Sequence, residues 1–309
     1  MFVLVTGGAG FIGSHTVDAL LEKGVRVRVL DNLSSGSLKN LPMDHPLIEF
    51  MQGDVRDIDC VTLCIKDITH VIHLAALVSV PVSIKDPLAS HSINVGGYLN
   101  VLSAARLAGV KRLVHASSAA VYGIPETLPL NEDSNTAPLS PYGLEKLVMD
   151  QYAQLFSELY NISTIGLRYF NVYGPRQNPE SPYSGVISKF ATWAIQNKEF
   201  TLFGDGKQTR DFIYVKDVAR ANVAALESTR DGVANIATGY SVNLLEITQI
   251  LSAIVGHPIN VKHESARTGD VPHSSSLPLI MRNELGIDST VELTFGLKSL
   301  LQSISNEKY

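Results

Sequence analysis

Residues 2–13, FVLVTGGAGFIG, join an apolar run typical of a buried strand to a glycine-rich turn and the start of an amphipathic helix. Gly24 follows that helix and is its expected C-cap. Bare glycine backbone lets the amides at the positive end of a helix approach a pyrophosphate. The stretch therefore predicts a dinucleotide-binding turn, with its glycines at Gly7, Gly10 and Gly13.

A second strand follows at residues 25–30, where apolar and basic residues alternate, and Asp31 stands at its end. An acid at this position accepts hydrogen bonds from both ribose hydroxyls of a dinucleotide and repels a 2′-phosphate. Asp31 therefore favours NAD over NADP as the cofactor.

Strand-like runs alternate with helical segments through the first half of the chain, at residues 2–6, 25–30, 47–51, 71–75, 112–117 and 163–169. This alternation predicts an α/β fold with a Rossmann-type, doubly wound parallel sheet. After Gly174-Pro175 the rhythm changes to short mixed elements. We expect residues 1–175 to form the NAD-binding domain and residues 176–309 mainly a smaller mixed α/β lobe for substrate, with some strands and helices returning to the first domain.

Composition excludes several classes of function. The chain has 309 residues, 45% of them hydrophobic, with a net charge of −5, so it can bury a large core but has no basic surface for nucleic acid. No apolar run reaches the length of a membrane span, and no charged leader precedes the first strand, so a cytoplasmic protein without membrane contact is expected. Cys60 and Cys64 are expected to be reduced thiols, and His73 and His115 interior residues, so no metal site is predicted.

Tyr142 and Lys146 lie four residues apart, on one face of an expected helix. A free tyrosine has a pKa of about 10 and is a poor base at neutral pH. A nearby cation favours the phenolate and is expected to lower that pKa into the working range. The pair is therefore a candidate general base with its activating cation.

Together these motifs resemble the extended short-chain dehydrogenase/reductase family, and within it the nucleotide-sugar 4-epimerases. The resemblance covers nearly the whole chain and implies a catalytic set of Ser118, Tyr142 and Lys146. The cofactor contacts that it implies are Gly7, Gly10, Phe11, Ile12, Gly13, Asp31, Asn32, Ser35, Gly36, Asp54, Val55, Leu74, Ala75, Ala76, Asn94, Tyr142, Lys146 and Tyr169. The substrate contacts that it implies are Ser79, Ser118, Tyr142, Asn171, Arg210, Arg267, Asp270 and Ser274.

Four departures from the family pattern bear on function. Glu145 replaces the usual serine before the catalytic lysine, and Ala119-Ala120 replaces the acid pair of the 4,6-dehydratases, which disfavours dehydration. Val78 replaces a lysine found in relatives that act only on plain UDP-galactose. Residues 275–278 replace a common Ala-Asp pair, and the sequence does not give the effect of that change.

The resemblance implies an NAD-dependent isomerase that inverts C4 of UDP-hexoses through a 4-keto sugar. The small side chain of Ser274 stands where relatives restricted to plain hexoses carry tyrosine, so N-acetylated sugars are expected as well. The alternatives are a UDP-glucuronate 4-epimerase or decarboxylase, and an NAD-binding protein without turnover. A homodimer through the helix at residues 142–160 is also implied, although its apolar positions Leu147, Leu155 and Leu159 could equally be core.

Overall fold

A seven-stranded parallel sheet forms the centre of the computed structural model, which describes residues 1–178, 185–265 and 271–306. Its strands are β1 (Phe2–Thr6), β2 (Arg26–Asp31), β3 (Ile48–Gln52), β4 (His70–His73), β5 (Arg112–Ser118), β6 (Ser163–Tyr169) and β10 (Gly232–Ile236). Their order across the sheet is β10-β6-β5-β4-β1-β2-β3, and every neighbouring pair is parallel. The strand order reverses between β1 and β4, where ligands bind in open α/β sheets.

The six strands expected from the sequence all occur, within two residues of their predicted limits, and the predicted fold class is confirmed. The seventh, β10, pairs with β6 although a long stretch of chain separates them. The chain crosses to the lobe immediately after β6, packs helix Val215–Glu227 back on the central sheet, and adds its last strand to that sheet at residue 232.

Helices cover both faces of the sheet and fill the lobe. They are α1 (Phe11–Glu22), α2 (Ile58–Cys64), α3 (Val80–Lys85), α4 (Pro87–His91), α5 (Gly97–Leu107), α6 (Pro141–Tyr160), α7 (Val186–Ile195), α8 (Val215–Glu227), α9 (Leu244–Val255), α10 (Leu279–Asn283) and α11 (Leu293–Asn306). The C-cap of helix α1 is Lys23, one residue before the expected Gly24, which follows it with a left-handed φ of +70°. Among the residues that the structure describes, no helix could span a membrane.

Two small sheets form the lobe. The first contains β7 (Asn171–Tyr173), β9 (Thr209–Tyr214) and β11 (Ser241–Asn243), and the second contains β8 (Phe200–Phe203) and β12 (Val261–Glu264). Only one residue, Phe170, separates the end of β6 from the start of β7, so the chain passes directly from the central sheet into the lobe. Burial of this lobe's own apolar cluster, which includes Phe190, Phe200 and Leu251, stabilises it beside the carboxyl ends of the central strands.

Candidate active site

The glycine-rich turn lies where β1, α1 and β4 meet. Gly7 has a left-handed φ of +70°, and a Cβ there would lie 2.7 Å from the amide nitrogen of Ala75. A Cβ on Gly13 would overlap the carbonyl oxygen of Gly7. Gly10 is the N-cap of α1, and a Cβ on it would meet only the Gly7 carbonyl oxygen, at 3.2 Å. The first and third glycines therefore let the backbones pack, and the second leaves the N-terminus of α1 open, which fits a pyrophosphate.

Asp31 ends β2 beside this turn and is buried. Its Oδ2 accepts from the amide of Ala9 at 3.0 Å, and its Oδ1 accepts from the amide of Leu33 at 2.8 Å. Ser35 is exposed in the following loop, and Gly36 packs so closely on Ala9 that a Cβ would lie 2.8 Å from its carbonyl carbon. The carboxylate is therefore fixed next to the phosphate turn, where a ribose is expected.

Asn32 and Asp54 are joined across β2 and β3. The Asn32 amide donates to Asp54 Oδ2 at 2.9 Å, and Arg56 donates to both oxygens of the same carboxylate. Hydrogen bonds from Arg56 hold the pKa of Asp54 well below its usual range. Val55 is buried against Gly97 of α5, and contact of this corner of the sheet with an adenine stays a prediction from the sequence.

Residues Leu74–Ala76 follow β4 and lie along the turn. The amide of Ala75 donates to Thr6 Oγ1 at 3.3 Å. The side chain of Asn94 accepts from the amide of Leu77 at 2.8 Å and donates to its carbonyl oxygen at 3.0 Å. Ser79 then caps α3, its hydroxyl accepting from the amide of Val82.

Ser118, Tyr142 and Lys146 come together at the carboxyl end of β5. Ser118 is the last residue of β5, and its hydroxyl faces the Tyr142 phenol, whose pKa it lowers. Helix α6 carries the other two in its first turns, capped by Ser140, whose hydroxyl accepts from the amide of Gly143. Lys146 Nζ lies 5.8 Å from the centre of the Tyr142 ring. The arrangement places a hydroxyl, a phenol and an ammonium around one point, which is a geometry for moving a proton.

Arg210 and Ser274 lie together at the start of β9. The Arg210 guanidinium donates to the carbonyl oxygens of Thr209, at 2.9 Å, and Pro272, at 3.3 Å. The amide of Ser274 donates to the Thr209 carbonyl oxygen at 3.1 Å. Backbone contacts thus hold the segment that begins at residue 271 against β9.

The remaining predicted substrate and cofactor residues lie at the ends of β6 and β7 or outside the described residues. Asn171 begins β7 and donates to the carbonyl oxygen of Asp211 at 3.2 Å. Tyr169 is buried at the end of β6, and its hydroxyl donates to Asn222 of α8 at 2.6 Å, so this hydroxyl is used within the core. Arg267 and Asp270 lie outside the described residues.

Comparison with known proteins identifies the family. Residues 3–238 match the NAD dependent epimerase/dehydratase family. The chain is 40% identical over 306 residues to a putative UDP-glucose 4-epimerase of Methanocaldococcus jannaschii, covering 98% of each chain. It is also similar to the solved structure of a UDP-N-acetylglucosamine 4-epimerase from Methanobrevibacter ruminantium M1 in complex with UDP-N-acetylmuramic acid, with a TM-score of 0.95, 38% identity and coverage of 99% and 98%. A UDP-glucose 4-epimerase of Thermotoga maritima with UDP-glucose gives a TM-score of 0.96 at 35% identity, covering 100% of both chains.

The chain belongs to the NAD dependent epimerase/dehydratase family. The predictions of this family, of an isomerase and of NAD as its cofactor are confirmed. The glycine turn and Asp31 are the residues expected to hold NAD, and Tyr142 and Lys146 are expected at its nicotinamide end.

Burial changes the electrostatics expected of the catalytic pair in this epimerase-family site. Burial raises the pKa of Tyr142 above its usual value, the Ser118 hydrogen bond lowers it, and Glu145 raises it. Burial lowers the pKa of Lys146 to about 8, while Asp150 and Glu145 act to raise it. The protein alone therefore does not lower the pKa of Tyr142 as the sequence predicted, because desolvation is the largest effect on this phenol. Lys146 Nζ instead donates to the carbonyl oxygen of Ala116 at 2.8 Å.

A buried ionic cluster supports the same helix, and sequence analysis did not find it. Asp150 lies one turn after Lys146 and accepts from His115 Nε2 at 3.0 Å, Ser117 Oγ at 3.1 Å and Arg168 Nε at 3.0 Å. These three partners come from β5 and β6. The cluster ties α6 to both strands, and an acid in a helix four residues after a lysine was the only sequence signal for it.

Glu145 is also part of the site, although the sequence identified it only as a departure from the family pattern. It is buried, with 4% of its surface exposed, and its Oε2 accepts from Ser90 Oγ at 2.7 Å and Asn94 Nδ2 at 2.6 Å. The departure therefore creates a hydrogen-bonded link between α6 and the segment around Asn94.

The unusual segment at residues 275–278 has a defined place. The carbonyl oxygen of Ser275 accepts from the amide of Leu130 at 2.9 Å, and the amide of Leu277 donates back to the Leu130 carbonyl oxygen at 2.7 Å. Ser276 between them is buried. The segment pairs with the loop that follows the Ser118 region, so it connects the lobe to the catalytic side of the sheet.

Proposed function

We propose that this protein is an NAD-dependent 4-epimerase of UDP-hexoses and that N-acetylated UDP-hexoses are among its substrates. The observation that supports this best is the grouping of Ser118, Tyr142 and Lys146 at the carboxyl end of the parallel sheet, beside a turn that fits NAD. The similarity to UDP-sugar 4-epimerases along the whole chain supports the substrate class.

In the proposed mechanism Tyr142, as phenolate, removes the proton from the sugar 4-hydroxyl, and Ser118 shares a hydrogen bond with the same oxygen. When bound, NAD supplies reversible hydride-accepting chemistry at C4. The ammonium of Lys146 favours the phenolate and binds the nicotinamide ribose. Arg210, together with Arg267 and Asp270, would hold the UDP part while the 4-keto hexose turns over and presents the opposite face of C4. Tyr142 then returns its proton to the 4-oxygen of the inverted sugar.

Dehydration is disfavoured by the residues that follow Ser118. Ala119 and Ala120 form a short 3-10 turn there, and neither carries an acid or base. Elimination of water from the sugar needs a group that can protonate the leaving hydroxyl. The site can thus move a proton at the 4-oxygen, but residues 119 and 120 supply no acid for the loss of water.

The decisive experiment offers the purified protein a panel of UDP-sugars and identifies each product sugar. We expect interconversion of UDP-glucose with UDP-galactose and of UDP-GlcNAc with UDP-GalNAc. Conversion of UDP-glucuronate alone, to its 4-epimer or to a pentose, would replace the proposal with the corresponding alternative. Bound NAD with no turnover of any sugar would indicate a non-catalytic binding protein.

The proposed acceptance of N-acetylated sugars rests on Ser274 and Val78. The backbone of Ser274 is held at β9 next to Arg210, which is expected to grip the diphosphate, so its side chain is close to where the sugar nucleotide would lie. A hydroxymethyl group leaves room that a tyrosine would fill. Val78, which is exposed before α3, is shorter than the lysine of UDP-galactose-specific relatives.

Ser274→Tyr should abolish turnover of UDP-GlcNAc and UDP-GalNAc and spare UDP-glucose and UDP-galactose, because a steric clash rejects a ligand more strongly than a lost contact. Ser274→Ala is the matched control, since it removes the hydroxyl and keeps the space, and it should leave both pairs active. The measurement is kcat/KM for each sugar. An equal loss for both pairs in the tyrosine variant would show that Ser274 is not the size gate.

We also propose a homodimer through α6. Leu155 and Leu159 are 48% and 68% exposed on this helix, so they are not core in the single chain, whereas Leu147 is partly buried. Apolar residues at such spacing on one helix suit burial against a second helix. Sedimentation equilibrium should give twice the mass of the chain, and a monomer would contradict the proposal. The cytoplasmic location stays a prediction from the sequence.

A further inference from the structure

Glu145 occupies an unusual environment between the two catalytic residues of α6. Its carboxylate is buried and accepts hydrogen bonds from the neutral side chains of Ser90 and Asn94. In the described part of the chain it forms no ion pair. A buried carboxylate without a paired cation is costly, and its field is weakly screened. Groups close to it therefore feel its negative charge.

One of its partners, Asn94, clamps the chain that follows β4. The Asn94 amide binds both the N–H and the C=O of Leu77, in the segment that runs from the expected cofactor contacts at 74–76 to Ser79. Asn94 itself lies in a π-helical turn, Ser92–Gly96, and such turns frequently occur at functional sites. The chain of contacts Glu145–Asn94–Leu77 thus joins the catalytic helix to this segment.

The charge of Glu145 also acts on both catalytic side chains. It raises the pKa of Tyr142 and the pKa of Lys146, and so it opposes the effect of burial on the lysine. The other groups that face Tyr142 are Ser118 from β5, Tyr169 from β6 and Lys146 from α6. The other groups that face Lys146 are His73 from β4, the Ala116 carbonyl oxygen from β5 and Asp150 from α6.

We propose that Glu145 is a positioning residue of this site, which holds the Leu77 segment on the catalytic helix through Asn94 and places a buried negative charge next to Lys146. This inference rests on the proposed epimerase function. In the proposed reaction Glu145 does not touch the reacting atoms. Its two effects can be separated because one needs a hydrogen-bond acceptor and the other needs a negative charge.

Glu145→Gln keeps the size of the side chain and an acceptor oxygen but removes the charge. The pH profile of kcat for UDP-glucose epimerisation should then move to lower pH by about 1 unit, on both limbs. Without the carboxylate, Tyr142 deprotonates at lower pH, and Lys146 loses its proton at lower pH. Activity on the alkaline limb should fall about 10-fold, and bound NAD should be retained.

Three variants make the test specific. Glu158→Gln removes the same charge from an exposed position of α6, where the carboxylate accepts from Gln154, and should leave the profile in place. Glu145→Asp keeps the negative charge and should keep the pH profile. This expectation can be tested even if the Gln variant does not fold. Asn94→Ala breaks the clamp and should reduce bound NAD several-fold without moving the profile.

An unchanged profile in Glu145→Gln, or an equal shift in Glu145→Asp, would overturn the role of the charge. Full NAD retention in Asn94→Ala would overturn the clamp. If no UDP-sugar is turned over, the proposed function fails. The phenol of Tyr142 can then still be titrated by ultraviolet absorbance against Tyr142→Phe, and its titration should move to lower pH in Glu145→Gln. A failure of the function and a failure of this inference are therefore distinguishable.

Discussion

At the scale of single residues, Tyr142 is the group on which the proposed chemistry depends. Tyr142→Phe keeps the ring and removes the hydroxyl, so turnover should fall about 100-fold or more, the usual weight of general-base catalysis. NAD should remain bound, because the glycine turn and Asp31 are untouched. Tyr160→Phe, on the exposed end of the same helix, is the control and should keep full activity. Near-full epimerisation by Tyr142→Phe would exclude this residue as the base.

Asp31 decides the choice between NAD and NADP. Asp31→Ala should narrow the preference for NAD, because it removes the carboxylate that would face a 2′-phosphate. The substitution should also weaken the binding of NAD itself, since the Ala9 amide loses its hydrogen-bond acceptor. Dissociation constants for both dinucleotides test this, with the exposed Asp59→Ala as a charge-matched control. Equal affinity of the native protein for the two dinucleotides would show that the acid does not face the ribose.

The sequence predicts residues that belong to one short motif. It does not predict residues that meet only when distant segments of the chain pack together. Gly7, Asp31 and the Tyr142–Lys146 pair follow from spacing within one motif. Asp150 meets His115 and Arg168 only after β5 and β6 have paired, so no local pattern could show that cluster. The raised pKa of Tyr142 was missed for the same reason, because burial is a property of the folded site.

At the scale of elements, the turn between β1 and α1 allows the close packing of its backbone on the segment after β4 to be tested. Gly7 and Gly24 share the same left-handed φ of +70°, but only Gly7 faces a neighbouring backbone, whereas Gly24 meets nothing within 4 Å. Gly24→Ala should cost about 1 kcal/mol of unfolding free energy, from strain alone. Gly7→Ala should cost several-fold more and lose NAD, since β4 must move away. Thermal unfolding and bound NAD measure both, and equal losses would contradict the close packing.

Most elements of the central sheet could be predicted because each buried strand is an apolar run between turn residues. Strand β10 could not be assigned to the sheet, since its partner β6 is distant in sequence. The pairing of Leu130 with residues 275–277 was equally hidden, because both segments are short and distant in sequence, and they pair mainly through backbone groups, with the Ser276 hydroxyl donating to the Leu130 carbonyl oxygen.

At the scale of the whole molecule, His15 couples stability to pH. It lies on α1, and its Nε2 donates to the carbonyl oxygen of Pro175, at the passage from the first half of the chain to the second. Burial lowers the pKa of His15 to about 4, whereas the Pro175 hydrogen bond and Asp18 raise it, and Arg176 and Lys216 lower it.

Between pH 6.5 and about 4 the unfolded chain therefore binds a proton at His15 that the folded protein does not bind. Stability is full above pH 6.5 and falls as the pH drops, by at most on the order of 3 kcal/mol from this group. His15→Gln retains a donor for Pro175 and should flatten the loss of thermal stability between pH 7 and pH 5. His91→Gln, which changes an exposed histidine, should not. An unaltered pH dependence in His15→Gln would place the titrating group elsewhere.

The position of β10 beside β6 has a consequence for synthesis on the ribosome. A nascent chain that ends before residue 232 has already made the NAD turn, both catalytic residues of α6 and six strands of the sheet. Its β6, however, is still an edge strand whose apolar residues and free backbone groups invite pairing with another chain. We therefore expect the first 175 residues, expressed alone, to aggregate through this edge. In the whole protein β10, from the second half of the chain, covers it.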